Sequence, residues 1–144
     1  MKRYGICILL SLIMITTAVS GCVGEGDIVG EGDIVGDWYQ AESKEVIFNS
    51  DGTVLADLDS ENQETGTWSI NDNGTLSLQW SGKDARTLWF VVDGDWLFIN
   101  NDEYSNCDVF SRVSIDEDSW SSTTEALTLP SICEGLGMDE PTPQ

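Results

Sequence analysis

The chain contains no histidine, and it sets only six lysines and arginines against 26 aspartates and glutamates. Without imidazole there is no histidine acid/base chemistry, no histidine-dependent triad and no imidazole metal site. So one-sided a charge repels phosphate backbones, which excludes nucleic acid as a partner. It repels anionic lipid headgroups in the same way. Long apolar runs are also missing. The most apolar stretch, residues 6–19, covers about 14 positions, whereas a membrane span needs roughly 20.

Carboxylates are abundant, and abundance makes any one pair uninformative. A glycosidase dyad needs two carboxyls at a set separation across a cleft, and 26 acids give no means of choosing two. Glu42 and Glu45 beside Lys44, and Asp93 and Asp95 around Gly94, read as turn and rim residues. Asn71-Asp72-Asn73-Gly74-Thr75 resembles half of a calcium loop. With Gly74 at the sixth place, however, the twelfth falls on Trp80, where a bidentate glutamate is required. A hairpin turn accounts for the same residues, and Asn73-Gly74-Thr75 also fits the N-glycosylation pattern. The expectation is a protein that is not an enzyme and that uses neither metal nor cofactor.

The amino terminus carries an address. Lys2 and Arg3 precede the apolar stretch, which closes on Val19-Ser20-Gly21-Cys22. A basic start, a short apolar run and small residues at a cleavage point make a secretory signal. The cysteine directly after them resembles the lipobox of prokaryotic lipoproteins. That resemblance implies cleavage after residue 21 and lipid on Cys22, with more than one acyl chain, since one chain binds membranes only marginally. The protein is then exported and held at the membrane on its extracytoplasmic side. Removing residues 1–21 from 144 leaves 123, enough for one small domain. Only Lys44, Lys83, Arg86 and Arg112 remain against the 26 acids, a net charge of −22. That acidity fits either a high-salt habitat, where screening removes self-repulsion, or ordinary solubility of an exported domain.

Cys7 leaves with the signal and Cys22 takes the lipid. Cys107 and Cys133 are then one pair in an oxidising compartment, expected to form a disulfide. The loop closed is about 25 residues, a constraint worth around 3 kcal/mol.

After Cys22 the hexapeptide GEGDIV occurs twice, at 24–29 and 30–35. Residues 22–33 read as a glycine-rich tether, and the second copy is expected to feed Ile34 and Val35 into a first strand. From there apolar and polar residues alternate between turn signals. Strands are predicted at 34–39, 45–48, 53–58, 65–70, 75–80, 86–92, 95–100 and 108–112. Asn-Gly and Asp-Gly pairs supply the positive φ angles that hairpin turns need. This is an all-β, eight-stranded antiparallel up-and-down meander.

Gly36-Asp37-Trp38 opens the first strand and Arg112 closes the last. A tryptophan on the first strand, stacked under an arginine from the last, resembles the closed end of lipocalins and their calycin relatives. It is closest in style to the small lipocalin-like domains of prokaryotic lipoproteins. The resemblance covers residues 34–112 and implies a small barrel with a ligand site at its open end. These strands run five or six residues where lipocalin strands are nearer ten, leaving less wall to enclose a cavity. Trp38, Val46, Phe48, Trp68, Ile70, Leu76, Leu78, Trp80, Leu88, Phe90, Val92 and Phe110 are expected to face inward. An eight-stranded barrel holds either its own side chains or one small ligand, and the three tryptophans in this set favour a filled core.

Beyond Arg112, residues 113–144 form an acidic tail stapled by the disulfide. In it Asp116-Glu117-Asp118 reads as a solvated run, Ser121–Leu129 as a short helix ended by Pro130, and 135–144 as lacking order. Tyr39, Trp89, Trp96 and Trp120 fall outside the inward set and are the candidate ligand or partner contacts. Trp89 and Trp96 have a second reading, as a pair across the Asp93-Gly94 hairpin. Two functions are therefore carried forward. One is a membrane-anchored lipoprotein whose lipocalin-like domain binds a small apolar ligand or a partner. The alternative is a packed-core structural or protein-interaction module of the cell envelope.

Overall fold

The computed structural model describes residues 31–58, 61–101, 105–135 and 137–138. The signal, Cys22, the first hexapeptide copy and residues 139–144 lie outside the described residues. The alternating segments form nine strands: β1 (Gly36–Gln40), β2 (Ser43–Phe48), β3 (Thr53–Ala56), β4 (Glu64–Ile70), β5 (Leu76–Trp80), β6 (Arg86–Leu88), β7 (Phe90–Asp93), β8 (Trp96–Asn101) and β9 (Asn106–Ser111). Successive strands pair antiparallel except β6 with β7, and β9 returns to β1 through Tyr39 opposite Ser111. The result is a nearly closed all-β barrel.

The expected count of eight strands changes at Trp89. Residues before it pair with β5, and those after it pair with β8. The single expected strand 86–92 therefore divides in two as it swings from one neighbour to the other. At the break the Trp89 carbonyl accepts the Asn100 N–H at 2.9 Å. A further correction falls at the start. Ile34 ends a short helical turn, α1 (Glu31–Ile34), rather than opening β1, because Gly36 redirects the chain at φ +129°.

Two hairpin turns share one hydrogen-bond pattern. In Asn49–Thr53 the Asn49 amide donates to Thr53 Oγ1 at 3.0 Å, and the Thr53 hydroxyl donates to Asp51 Oδ1 at 2.6 Å. In Asn71–Thr75 the corresponding bonds are 2.9 Å, from Asn71 to Thr75, and 2.6 Å, from Thr75 to Asn73. Gly52 and Gly74 take the left-handed position, at φ +84° and +80°. The residues that resemble half a calcium loop are thus a hydrogen-bonded hairpin turn.

All twelve expected inward residues belong to one interior cluster. Seven are buried and five (Ile70, Trp80, Leu88, Val92 and Phe110) pack partly buried against them. Ile34, Val54, Leu97 and Ile99, with partly buried Val35, complete it. A second apolar cluster lies on the outer face of β8 and β9. Phe98, Cys107, Val109 and Cys133 are buried there beneath Leu127, Leu129, Ile132 and Met138 of the tail.

The tail differs from expectation in two places. Its helix, α2 (Glu117–Glu125), starts earlier because Asp116 caps it, accepting the Ser119 N–H at 3.0 Å, with Glu117 and Asp118 in the first turn. Acidic side chains there complement the positive end of the helix. The run that reads as solvated is therefore a helix start. Further on, Gly137–Met138 forms a tenth strand, β10, parallel to β9 beside Asn106 and Cys107, where no order is expected. Cys107 and Cys133 are fully buried at disulfide distance, with Cα atoms 5.4 Å apart, inside the range a bridge requires.

Candidate functional site

The two ends of the barrel are built differently. At one end the Asn-Gly and Asp-Gly turns gather around Trp38, which is fully buried. The Arg112 guanidinium sits 3.9 Å from the Trp38 ring centroid, a cation–π contact worth about 0.5–2 kcal/mol depending on desolvation. Arg112 Nη1 donates to the Val35 carbonyl at 2.7 Å, and Nη2 donates to the Asp33 carbonyl. Trp38 Nε1 donates to the Ile34 carbonyl at 2.8 Å. Three consecutive carbonyls are thus held by the two side chains. Gly36 is required beside them, because a Cβ there would lie 2.5 Å from Arg112 Nη1. Burial lowers the Arg112 pKa from its ordinary value, and the Asp95 and Asp33 carboxylates act against that shift. The structure therefore brings together Gly36, Trp38 and Arg112, and Ile34 completes the plug.

At the opposite end a cavity of about 290 Å³ enters the barrel. Its lining is polar and apolar in equal measure, the apolar part coming from Val46, Phe48, Ala56, Leu78, Trp80, Leu88, Ile99 and Phe110. Its rim is polar, formed by Gln40, Glu45, Asp57, Arg86, Asn101 and Asp108. Arg86 Nη2 donates to Asn101 Oδ1 at 3.2 Å, and Asn101 Nδ2 donates to Asp108 Oδ2 at 3.1 Å. The Asp57 N–H donates to the Glu45 carbonyl at 3.1 Å. A concave site that combines apolar surface with convergent polar groups can hold a small molecule, although small-molecule sites are usually more apolar than this one.

None of the four expected contact aromatics lines this cavity. Tyr39 lies half-buried, with Lys44 Nζ 5.6 Å from its ring centroid; Lys44 also pairs with Asp37 at 2.6 Å, and that bond raises the Lys44 pKa. Trp89 is 50% exposed at the break between β6 and β7. Trp120 is only 3% exposed, packed at 5.9 Å between ring centroids against Trp96, so it is not an available surface aromatic. Trp96 stands opposite Asp93 and Ser111, so the hairpin pair with Trp89 does not form. The aromatic walls of the cavity are instead Phe48, Trp80 and Phe110, all members of the expected inward set. The rim residues are what sequence reasoning missed. Their one available signal is position, at strand ends remote from the Asn-Gly turns.

Among the described residues no group of three acidic or cysteine side chains is placed to hold a metal ion. No helix among them is long and apolar enough to cross a membrane. Comparison with family models, curated proteins and solved structures finds no match to this chain. The nearly closed antiparallel barrel is compatible with a lipocalin-like fold.

Proposed function

We propose that this chain is an exported lipoprotein, anchored through Cys22, whose lipocalin-like barrel binds a small, largely apolar ligand at its open end. One observation supports the binding function: a cavity of about 290 Å³, with apolar side chains inside and polar ones at its rim, opens at one end while Trp38, Arg112 and Ile34 fill the other. The sequence around Cys22 supports the anchor. The test of binding is native mass spectrometry of residues 24–144, which include every described element, isolated from the host that makes the protein. A reproducible extra mass that leaves on denaturation identifies the occupant. A bare protein mass in repeated preparations favours the packed-core module, which is supported by Trp38, Trp68 and Leu76 filling the closed half. The anchor has its own test. The Cys22→Ser protein moves to the aqueous phase in detergent partitioning, and retention in the detergent phase rejects Cys22 as the lipid site.

A further inference from the structure

The cavity rim carries three carboxylates, Glu45, Asp57 and Asp108, and one guanidinium, Arg86. They come from separate elements, β2, the turn after β3, β9 and β6, so closure of the barrel is what assembles them. These four side chains already interact with other residues. Arg86 is tied through Asn101 towards Asp108. The guanidinium is therefore committed to the rim and offsets one of its three negative charges. A ligand seated against Phe48, Leu78 and Phe110 presents its outer end to groups that sum to two negative charges. A charged mouth with low-dielectric walls concentrates its field on whatever enters, and the chain as a whole adds the same sign.

Resting on the ligand-binding function proposed above, we propose that the cavity selects cationic amphiphiles, molecules with an apolar body and a single ammonium-type charge. The body lies against the apolar part of the lining and the cation sits among the rim carboxylates. A carboxylate of the same shape meets the rim with the wrong sign.

The test is calorimetric titration of residues 24–144 with octylamine as its ammonium ion, octanol and octanoate, three probes that differ only in the head group. At low ionic strength octylammonium is expected to bind about tenfold tighter than octanol, with octanoate weakest. Asp57→Asn and Asp108→Asn each weaken octylammonium roughly threefold to tenfold and leave octanol unchanged. Asparagine tolerates the left-handed backbone of residue 57 as aspartate does, so the first variant keeps the rim geometry. Asp72→Asn, in the turn at the opposite end, removes the same charge and leaves octylammonium affinity within about twofold. Tightest binding by octanoate, equal binding of all three probes, or an equal loss in Asp72→Asn overturns the selectivity while leaving the ligand site standing. Failure of all three probes to bind overturns the ligand site with it.

Discussion

At the closed end of the barrel, the left-handed positions of the hairpin turns are all glycine: Gly52 at φ +84°, Gly74 at +80° and Gly94 at +59°. At the open end, left-handed backbone occurs at Ala41, Asp57 and Ser105, with φ between +50° and +54°, and glycine takes such a position at Gly82. A residue with a Cβ in this region costs about 1–2 kcal/mol. The closed end thus combines relaxed turns with a buried tryptophan, a stacked arginine and three satisfied carbonyls. The open end combines strained turns with a cavity and a charged rim. Close packing is concentrated at one end of the molecule and the cavity at the other.

The comparison breaks most severely at Trp38. Trp38→Ala removes a fully buried ring and the platform under Arg112, and a loss of about 3–5 kcal/mol is expected in urea unfolding. A loss below about 1 kcal/mol would mean the closed end is not the stable end. The strap outside β8 and β9 comes next. Replacing Cys107 and Cys133 together by serine is expected to cost about 3 kcal/mol. Equal unfolding midpoints for the variant and the oxidised parent would show that packing alone holds the tail.

Smaller effects sharpen the contrast, because a Cβ can only be added at the closed-end glycines and only be removed at Ala41, Asp57 and Ser105 of the open end, and the two changes have opposite signs. Gly74→Ala, where the added methyl meets nothing within 4 Å, is expected to lose about 1–2 kcal/mol from backbone conformation alone. Ser105→Gly, at an exposed rim position, is expected to gain about 0.5–1 kcal/mol. Thermal unfolding of both variants checks the pair, and equal signs would contradict it. The smallest effect separates the twin turns. Hydrogen bonds from the Thr53 hydroxyl and N–H hold the Asp51 carboxyl below its ordinary 3.8, whereas the second turn has neutral Asn73. A depressed pKa stabilises the fold above the unfolded-state value, and that contribution disappears as pH falls through the lower folded-state value. Asp51→Asn should therefore flatten the acid limb of Tm against pH below about 4, and an unchanged limb would assign it to other carboxylates.

The interior was legible where a strand buries one face. Leu76, Leu78 and Trp80 alternate with Ser77 and Gln79 on β5, and every residue so assigned lies in the interior cluster. The rule fails at Trp96-Leu97-Phe98-Ile99. There Leu97 and Ile99 face the barrel while Phe98 lies under the tail, and a strand covered on both faces carries no alternation. The same cover explains why Trp96 and Trp120 are not exposed aromatics. Trp96 and Trp120 lie outside the barrel, but outside is not exposed once the tail crosses β8 and β9. The helix start was missed because Asp116 was grouped by charge with its neighbours rather than read as a cap. The rim was illegible for a simpler reason. Glu45 and Asp108 are remote in sequence, and only closure of the barrel brings them to one cavity.

Arg112 grips the incoming chain by the carbonyl oxygens of Asp33 and Val35. Every residue has a carbonyl, so this lock recognises the path of the backbone and not its letters. Apart from Ile34, which is buried, and Gly36, which leaves room for the guanidinium, the leader into the barrel is free to drift, lengthen or duplicate. A repeated hexapeptide just before that junction is a change such a lock tolerates, which makes the entry to the barrel a place where evolution can rewrite the sequence without refolding the domain.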